Sequence, residues 1–103
     1  MVVSLTIIPV GSGDELKEKI ADIVAIIHDS GLSYKLGSMS TCIEGDWDEV
    51  MEVVRKCHQK ALESSPRCLT TITIDDRTGF TGRLEGKVKD VKDILSDKEL
   101  SIE

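Results

Sequence analysis

Aromatic residues and asparagine are scarce in this sequence of 103 residues, which has one Trp, one Tyr, one Phe and no Asn. Proteins that bind single-stranded nucleic acids stack the bases on aromatic side chains, and three aromatic residues are too few for such a surface. The absence of Asn removes the amide that orients the histidine of papain-like cysteine proteases. Both absences argue against these two classes of function.

Cysteines are few and long apolar runs are missing. The three cysteines, Cys42, Cys57 and Cys68, are odd in number and contain no C-x-x-C pair, which argues against a disulfide framework or a zinc site. We expect reduced, mostly buried thiols, no metal and no cofactor. The sequence has no stretch of about 18 apolar residues and no basic leader, so we expect a cytoplasmic protein that does not enter a membrane.

Positive charge is also limited, since 13 Lys and Arg face 19 Asp and Glu, for a net charge of −6. This charge repels phosphate backbones and anionic membrane surfaces, so we expect neither nucleic acid nor a membrane as partner. The length suits one domain over residues 1–103. A domain of this size gains stability when a second copy covers an apolar face, which makes a homo-oligomer the expected state.

The first half of the chain predicts a strand followed by a helix. Residues 2–9 are rich in branched residues and uncharged, which predicts a strand that ends at Pro9. Its two faces carry Val3, Leu5 and Ile7 on one side and Ser4, Thr6 and Ile8 on the other. Ser12 and Glu15 have the spacing of a capping box before a helix, which should end near Gly31.

The second half predicts a hairpin, two further helices and one strand. Residues 33–45 indicate two short strands around a turn at Gly37 and Ser38, although one bent strand fits almost as well. Asp46 is a suitable cap for a second helix, which should end before Pro66. A strand over residues 67–75 and a third helix after a glycine-containing loop complete the chain.

The order β-α-β-β-α-β-α predicts the fold class. A split βαβ pair closes into a four-stranded antiparallel sheet with two helices on one face, so we expect an α+β ferredoxin-like βαββαβ sandwich with an additional C-terminal helix. The other face should stay open. Because Ser4, Thr6, Ile8, Thr71 and Thr73 give it a mixed composition, we interpret it as an interface between copies, a binding surface, or both.

Two groups of side chains are candidates for catalysis or ligand binding. Cys57 and His58 are the only local thiol–imidazole pair, but neighbours in a helix point about 100° apart, which argues against catalysis. Glu44 follows small hydroxyl residues, Ser40 and Thr41 among them, where a carboxylate could bind a protonated ring nitrogen or an amino group. Alternatively, Glu44 faces water. Trp47 could cover such a site or pack on the domain edge.

Three segments together resemble a known family. They are residues 7–11 (IIPVG), 37–45 (GSMSTCIEG) and 71–77 (TITIDDR), in this order and nearly spanning the chain. The sequence is similar to the small thiamine-binding protein family. This resemblance implies a ferredoxin-like fold, dimers that pair into tetramers, and binding of thiamine or its hydroxymethylpyrimidine part.

The resemblance also implies which residues bind the ligand. Thr41 and Glu44 match the family motif, Ile8 and Pro9 would line the neighbouring strand end, and Thr6 and Ser40 are added on geometry alone. We therefore expect a non-catalytic cytoplasmic protein that binds thiamine or a related hydroxymethylpyrimidine as a homo-oligomer. The alternative is a regulatory module of the same fold that senses another metabolite between subunits.

Overall fold

The computed structural model describes residues 1–102, and its elements follow the predicted order. The elements are β1 (Val2–Pro9), a short 3₁₀ turn (Gly13–Glu15), α1 (Leu16–Asp29), β2 (Ser33–Leu36), β3 (Thr41–Glu44), α2 (Trp47–Ser64), β4 (Cys68–Asp75) and α3 (Arg83–Asp97). The strands form one antiparallel sheet in the order β2-β3-β1-β4. This confirms the α+β ferredoxin-like fold with an added C-terminal helix.

One face of the sheet packs against α1 and α2 to form the core. β1 contributes Val3, Leu5 and Ile7, as its alternation predicts, and β3 contributes Ile43. The helices add Ile23, Ile27, Val50, Val53, Val54, Cys57 and Ala61. Because successive side chains of a strand point to opposite faces, a slip of one residue in β1 would expose its core residues, and their burial fixes the register.

The start of α1 differs from the prediction. Ser12 already has helical backbone angles (φ −76°, ψ −23°), and its hydroxyl donates to the Pro9 carbonyl at 2.7 Å instead of capping the helix. A capping side chain needs an extended backbone at that residue, and the 3₁₀ turn over Gly13–Glu15 leaves Ser12 without one. The predicted capping box is therefore wrong, whereas the predicted end is confirmed, since Gly31 has a φ of +78°.

The opposite face of the sheet is only partly open. The first turns of α3 cross it at the end where Val2 and Glu44 pair. Two salt bridges hold α3 there, one between Lys35 and Glu85 at 2.8 Å and one between Lys87 and Asp75. The expectation of a face left wholly open therefore needs correction at this end. The other end remains accessible, with Ile8 and Leu69 close to half exposed.

The rest of α3 leaves the body of the protein. Val88, Val91 and Ile94 are each more than half exposed, although their spacing is that of a helix with one apolar side. Within residues 1–102, Leu84 in the first turn is buried and Leu95 is partly buried on this apolar side. Within residues 1–102, no helix combines the length and the apolar character needed to cross a membrane.

Candidate functional site

β1 is twice as long as β3, and this mismatch opens a gap at the sheet edge. β1 spans eight residues, but only Val2 to Leu5 have partners in β3. At the paired end, the Met1 amino group donates to the Gly45 carbonyl at 2.9 Å and the Gly45 N–H donates to the Met1 carbonyl at 3.1 Å. In an antiparallel ladder such exchanged pairs recur every second residue. The main-chain N–H and C=O groups of the odd-numbered residues of β1 therefore point towards β3.

The ladder ends at the pair Leu5–Thr41, two residues before Ile7 would pair with Met39. The hairpin turns away there, because the Gly37 N–H donates to the Ser40 carbonyl at 2.9 Å and closes a tight turn. Only glycine suits this turn, since a Cβ on Gly37 would lie 2.7 Å from that carbonyl oxygen. Within residues 1–102 the main-chain N–H and C=O of Ile7 make no hydrogen bond to the hairpin.

These main-chain groups are not satisfied on the β4 side either. The Val10 N–H donates to the Arg67 carbonyl at 2.9 Å, which places the exchanged pairs between β1 and β4 at even-numbered residues. Ile7, an odd-numbered residue, is buried and points its N–H and C=O away from β4. Buried main-chain groups are nearly always paired, so an unpaired donor and acceptor at this position indicate a place for a ligand or water.

A groove of about 310 Å³ lies beside this unpaired edge. Residues 5–8 of β1 and residues 36–41 of the hairpin form two of its sides. The third side consists of aliphatic side chains of α1, namely Leu16, Ile20, Ile23, Val24 and Ile27. The volume is at the lower end of the range for small-molecule sites, which suits a ligand of one or two rings.

The lining of the groove is apolar with a few uncharged polar groups. Of the residues that the structure places around it, none is ionisable. Four of the lining residues carry hydroxyls, Thr6 on β1 and Ser38, Ser40 and Thr41 in the hairpin, and Thr6 Oγ1 donates to the Met39 carbonyl at 3.3 Å. Such a site favours a flat, neutral molecule with hydrogen-bonding groups on its edge, because a charged one would lose hydration without gaining a counter-charge.

Four of the six site residues predicted from the sequence line this groove. They are Thr6, Ile8, Ser40 and Thr41. Pro9 does not line it and is fully buried at the end of β1, opposite Cys68. Whether any of the six binds a ligand stays a prediction.

Glu44 lies away from the groove. It is three residues after Thr41, about 10 Å along the strand, and its side chain points to the other face of the sheet. There Glu44 Oε2 accepts a hydrogen bond from the Arg83 N–H at 2.7 Å, at the start of α3. The expected grouping of this carboxylate with the hydroxyls of Ser40 and Thr41 is therefore not what the structure shows.

A second, smaller cavity lies next to Glu44. Its volume is about 90 Å³, below the usual range for small-molecule sites, and Arg83, Asp75 and Lys87 also line it. The hydrogen bond from Lys87 holds the pKa of Asp75 below its ordinary value. Lys87 pairs with Asp75, and Glu44 accepts from the Arg83 main-chain N–H. Both contacts hold α3 against the sheet, so we assign this cavity a structural role.

The apolar surface of the groove comes from an unexpected source. Trp47, considered above as cover for the site, is 55% exposed and does not line the groove. The aliphatic residues of α1 take that place, and Leu16 is 40% exposed because no strand covers it. The sequence already contained the signal, since the eight residues predicted for β1 cannot all pair with one of the two short strands predicted within residues 33–45.

Metal ligation has no obvious place in the described residues. Across residues 1–102, no three His, Cys, Asp or Glu side chains are grouped so that they could hold a metal ion.

Fold and groove together define a ferredoxin-like domain of the small-ligand-binding class. The family model described as "Thiamine-binding protein" matches residues 3–92. The chain therefore belongs to the thiamine-binding protein family, which confirms the resemblance seen in the three sequence segments.

Individual relatives agree with this assignment. The chain is similar to a UPF0045 protein of Mycobacterium bovis, with 33% identity over 92% of this chain and 94% of the relative. It is also similar to a UPF0045 protein of Methanothermobacter thermautotrophicus, with 36% identity over 86% of this chain and 93% of the relative.

Solved structures show the same fold. A hypothetical protein of Methanocaldococcus jannaschii superposes with a TM-score of 0.81 and 26% identity, covering 87% of this chain and 93% of that one. A candidate thiamine biosynthesis or salvage protein of Thermotoga maritima superposes with a TM-score of 0.75 and 24% identity, covering 85% and 96%. At this identity the second likeness concerns the fold alone.

Proposed function

We propose that the protein binds thiamine or a related hydroxymethylpyrimidine, with the pyrimidine ring in the groove beside β1, and does not convert it. The observation that carries this proposal is the unpaired main chain of Ile7 in an apolar groove of about 310 Å³. The family name and the fold support a small ligand. The pyrimidine ring is the part of thiamine whose chemistry matches the groove.

The match is one of hydrogen bonding and charge. An aminopyrimidine carries an amino donor next to a ring-nitrogen acceptor on one edge, and Ile7 offers one C=O and one N–H on one side of the strand. The ring would occupy the position where Met39 would pair with Ile7 if the ladder continued. Its faces would lie against the aliphatic side chains of α1. Ser40 and Thr41 line the hairpin side of the groove, and their hydroxyls would bind the remaining polar groups of the ligand.

The cationic thiazolium of thiamine belongs outside the groove. No ionisable side chain lines this part of the described structure, so nothing there neutralises a positive charge. We therefore expect hydroxymethylpyrimidine and thiamine to bind with dissociation constants within about fivefold of each other, a difference of about 1 kcal/mol. A much stronger preference for thiamine would show that a carboxylate binds the thiazolium.

Titration calorimetry with both ligands tests the proposal. Val24 lines the groove and its neighbour Ala25 is exposed on the outer side of α1, so Val24→Phe and Ala25→Phe form a matched pair. We expect saturable binding to the parent protein and to Ala25→Phe, and at least about tenfold weaker binding to Val24→Phe because the added ring fills the groove. Heat no greater than that of dilution at millimolar ligand would refute the function.

We also propose that the protein acts as a cytoplasmic homo-oligomer, a dimer or a tetramer. Two apolar surfaces support this part of the proposal. One is the accessible end of the open face around Ile8 and Leu69, and the other is the exposed side of α3 around Val88 and Val91. Both are apolar surfaces that a second copy of the chain would remove from water.

A further inference from the structure

His58 contacts a cysteine that is distant from it in the sequence. From α2 its side chain reaches β4, where Nδ1 lies 2.7 Å from Thr70 Oγ1 and 3.5 Å from Cys68 Sγ. All three residues are partly buried. The neighbouring Cys57 points elsewhere, with its Sγ 3.7 Å from the Ile23 carbonyl. The thiol–imidazole pair rejected for Cys57 therefore exists for Cys68.

The three cysteines have three different environments. Cys57 is fully buried, and burial raises its pKa to about 11. Cys42 lies on the open face of the sheet opposite Lys35, whose ammonium is already paired with Glu85 at 2.8 Å. Cys68 alone among them has an imidazole nitrogen within hydrogen-bonding distance of its sulfur in the described structure. All three thiols are at least partly buried, as expected, with Cys57 buried and Cys42 and Cys68 of intermediate burial.

We propose that Cys68 is a reactive thiol that forms mixed disulfides with low-molecular-weight disulfides, with His58 as its proton acceptor. The thiolate is the nucleophile in such exchange, and a neighbouring imidazole raises its population. Nδ1 of His58 takes the proton from Cys68, the new N–H donates to the Thr70 hydroxyl, and the thiolate attacks one sulfur of the disulfide. The new S–S bond forms as the old one breaks, and the leaving thiolate takes up the proton.

This site is separate from the groove. Cys68 pairs with Pro9 on the β4 side of β1, whereas the groove lies on the β3 side of the same strand. The proposal therefore does not depend on the ligand of the groove. It assigns to the chain a modification site that responds to the thiol–disulfide balance of its surroundings.

The test measures the rate at which each cysteine of the reduced protein reacts with oxidised glutathione, by peptide mass spectrometry near neutral pH. In the parent protein we expect Cys68 to react about tenfold faster than Cys42, and Cys57 to stay unmodified while the protein is folded. This ranking needs no variant. A Cys68 that reacts no faster than Cys42 would overturn the proposal.

A variant then separates the imidazole from mere accessibility. His58→Gln should slow the reaction of Cys68 about tenfold and leave the rate of Cys42 unchanged, because the general base is lost. Cys57 serves as an internal check, since it becomes reactive only if the variant unfolds. An unchanged rate at Cys68 in a folded variant would exclude His58 as the proton acceptor and overturn the proposal.

Discussion

Thr41 and Glu44 stand three residues apart in β3, and this spacing puts their side chains on opposite faces of the sheet. The motif that carries the family resemblance includes both residues, but they do different work in this structure. Thr41 lines the groove, whereas Glu44 accepts a hydrogen bond from the first residue of α3. Strand alternation alone could have predicted the separation. The contact with Arg83 could not be predicted, because it joins segments 39 residues apart.

A substitution of Glu44 tests this division. Glu44→Ala should cost about 1.5–3 kcal/mol, the usual contribution of a hydrogen bond to a charged group, and should loosen the first turn of α3. Binding of hydroxymethylpyrimidine should stay within about twofold of the parent value, a few tenths of a kcal/mol. Hydrogen exchange of α3 and titration calorimetry measure the two effects. Lost binding with an intact α3 would restore Glu44 as a ligand residue.

The main chain of Ile7 is the site group that residue types could not reveal. Its importance comes from an unmade hydrogen bond and not from its side chain, which belongs to the core. Its neighbours both line the groove, namely Ile8, which the family resemblance implied as a site residue, and Thr6, which was added on geometry alone. A sequence pattern thus predicts which strand end is involved, but the position of the first missing rung depends on the exact turn of the hairpin.

Helix ends show why local signals succeed at one element and fail at another. Asp46 has an extended backbone (φ −81°, ψ 172°) and its Oδ1 accepts from the Glu49 N–H at 2.9 Å, as the sequence predicts for α2. Ser12 has an equally suitable side chain before α1, but the 3₁₀ turn over Gly13–Glu15 removes the backbone conformation that a cap requires. The residue type was right in both cases, and the local backbone decided the outcome.

The cap of α2 can be tested against a nearby acid. Asp46→Ala should lower the free energy of unfolding by about 1 kcal/mol, since the Glu49 N–H loses its acceptor. Asp48→Ala, in the first turn of the same helix, removes a favourable charge but no cap, and should cost less than about half as much. Urea unfolding of both variants measures the difference. Equal losses would mean that helix-end charge, and not the hydrogen bond, stabilises α2.

The position of α3 was the least predictable feature among the elements. Its helical spacing was clear from the sequence. Its direction, however, depends on ion pairs with the two edge strands of the sheet, one with Lys35 in β2 and one with Asp75 in β4. Such pairs are individually weak at an exposed surface and leave no trace in a local pattern. The main-chain hydrogen bond to Glu44 adds to them.

At the scale of the whole molecule, the remaining exposed apolar surface is divided between the sheet and α3. Leu69 is 47% exposed at the accessible end of the open face, and Val91 is 56% exposed on α3. The expectation of a partner copy rested on domain size, on the open face of the sheet and on the family resemblance. The structure adds the projecting helix as a second surface, so the proposed oligomer has two places at which copies can meet.

An engineered charge on the open face tests the proposed oligomer. Leu69→Lys should lower the molecular mass measured by sedimentation equilibrium at micromolar concentration towards that of a single chain. The reason is that a lysine would have to be buried in the interface. Leu62→Lys is the matched control, since Leu62 is 45% exposed on α2, away from that face. It should keep the mass of the parent protein. A parent protein that sediments as a single chain would contradict the proposed assembly.

The most direct test of the central claim is the amide chemical shift of Ile7, followed by NMR during titration with hydroxymethylpyrimidine. The bound ring should take the place of the missing rung, so the Ile7 amide should shift progressively and saturate, together with those of Ser40 and Thr41. The amide of Val3, already paired across the sheet with Ile43, should stay in place. Saturation of the protein with an unmoved Ile7, or shifts confined to Thr71 and Thr73 on the open face, would contradict the account.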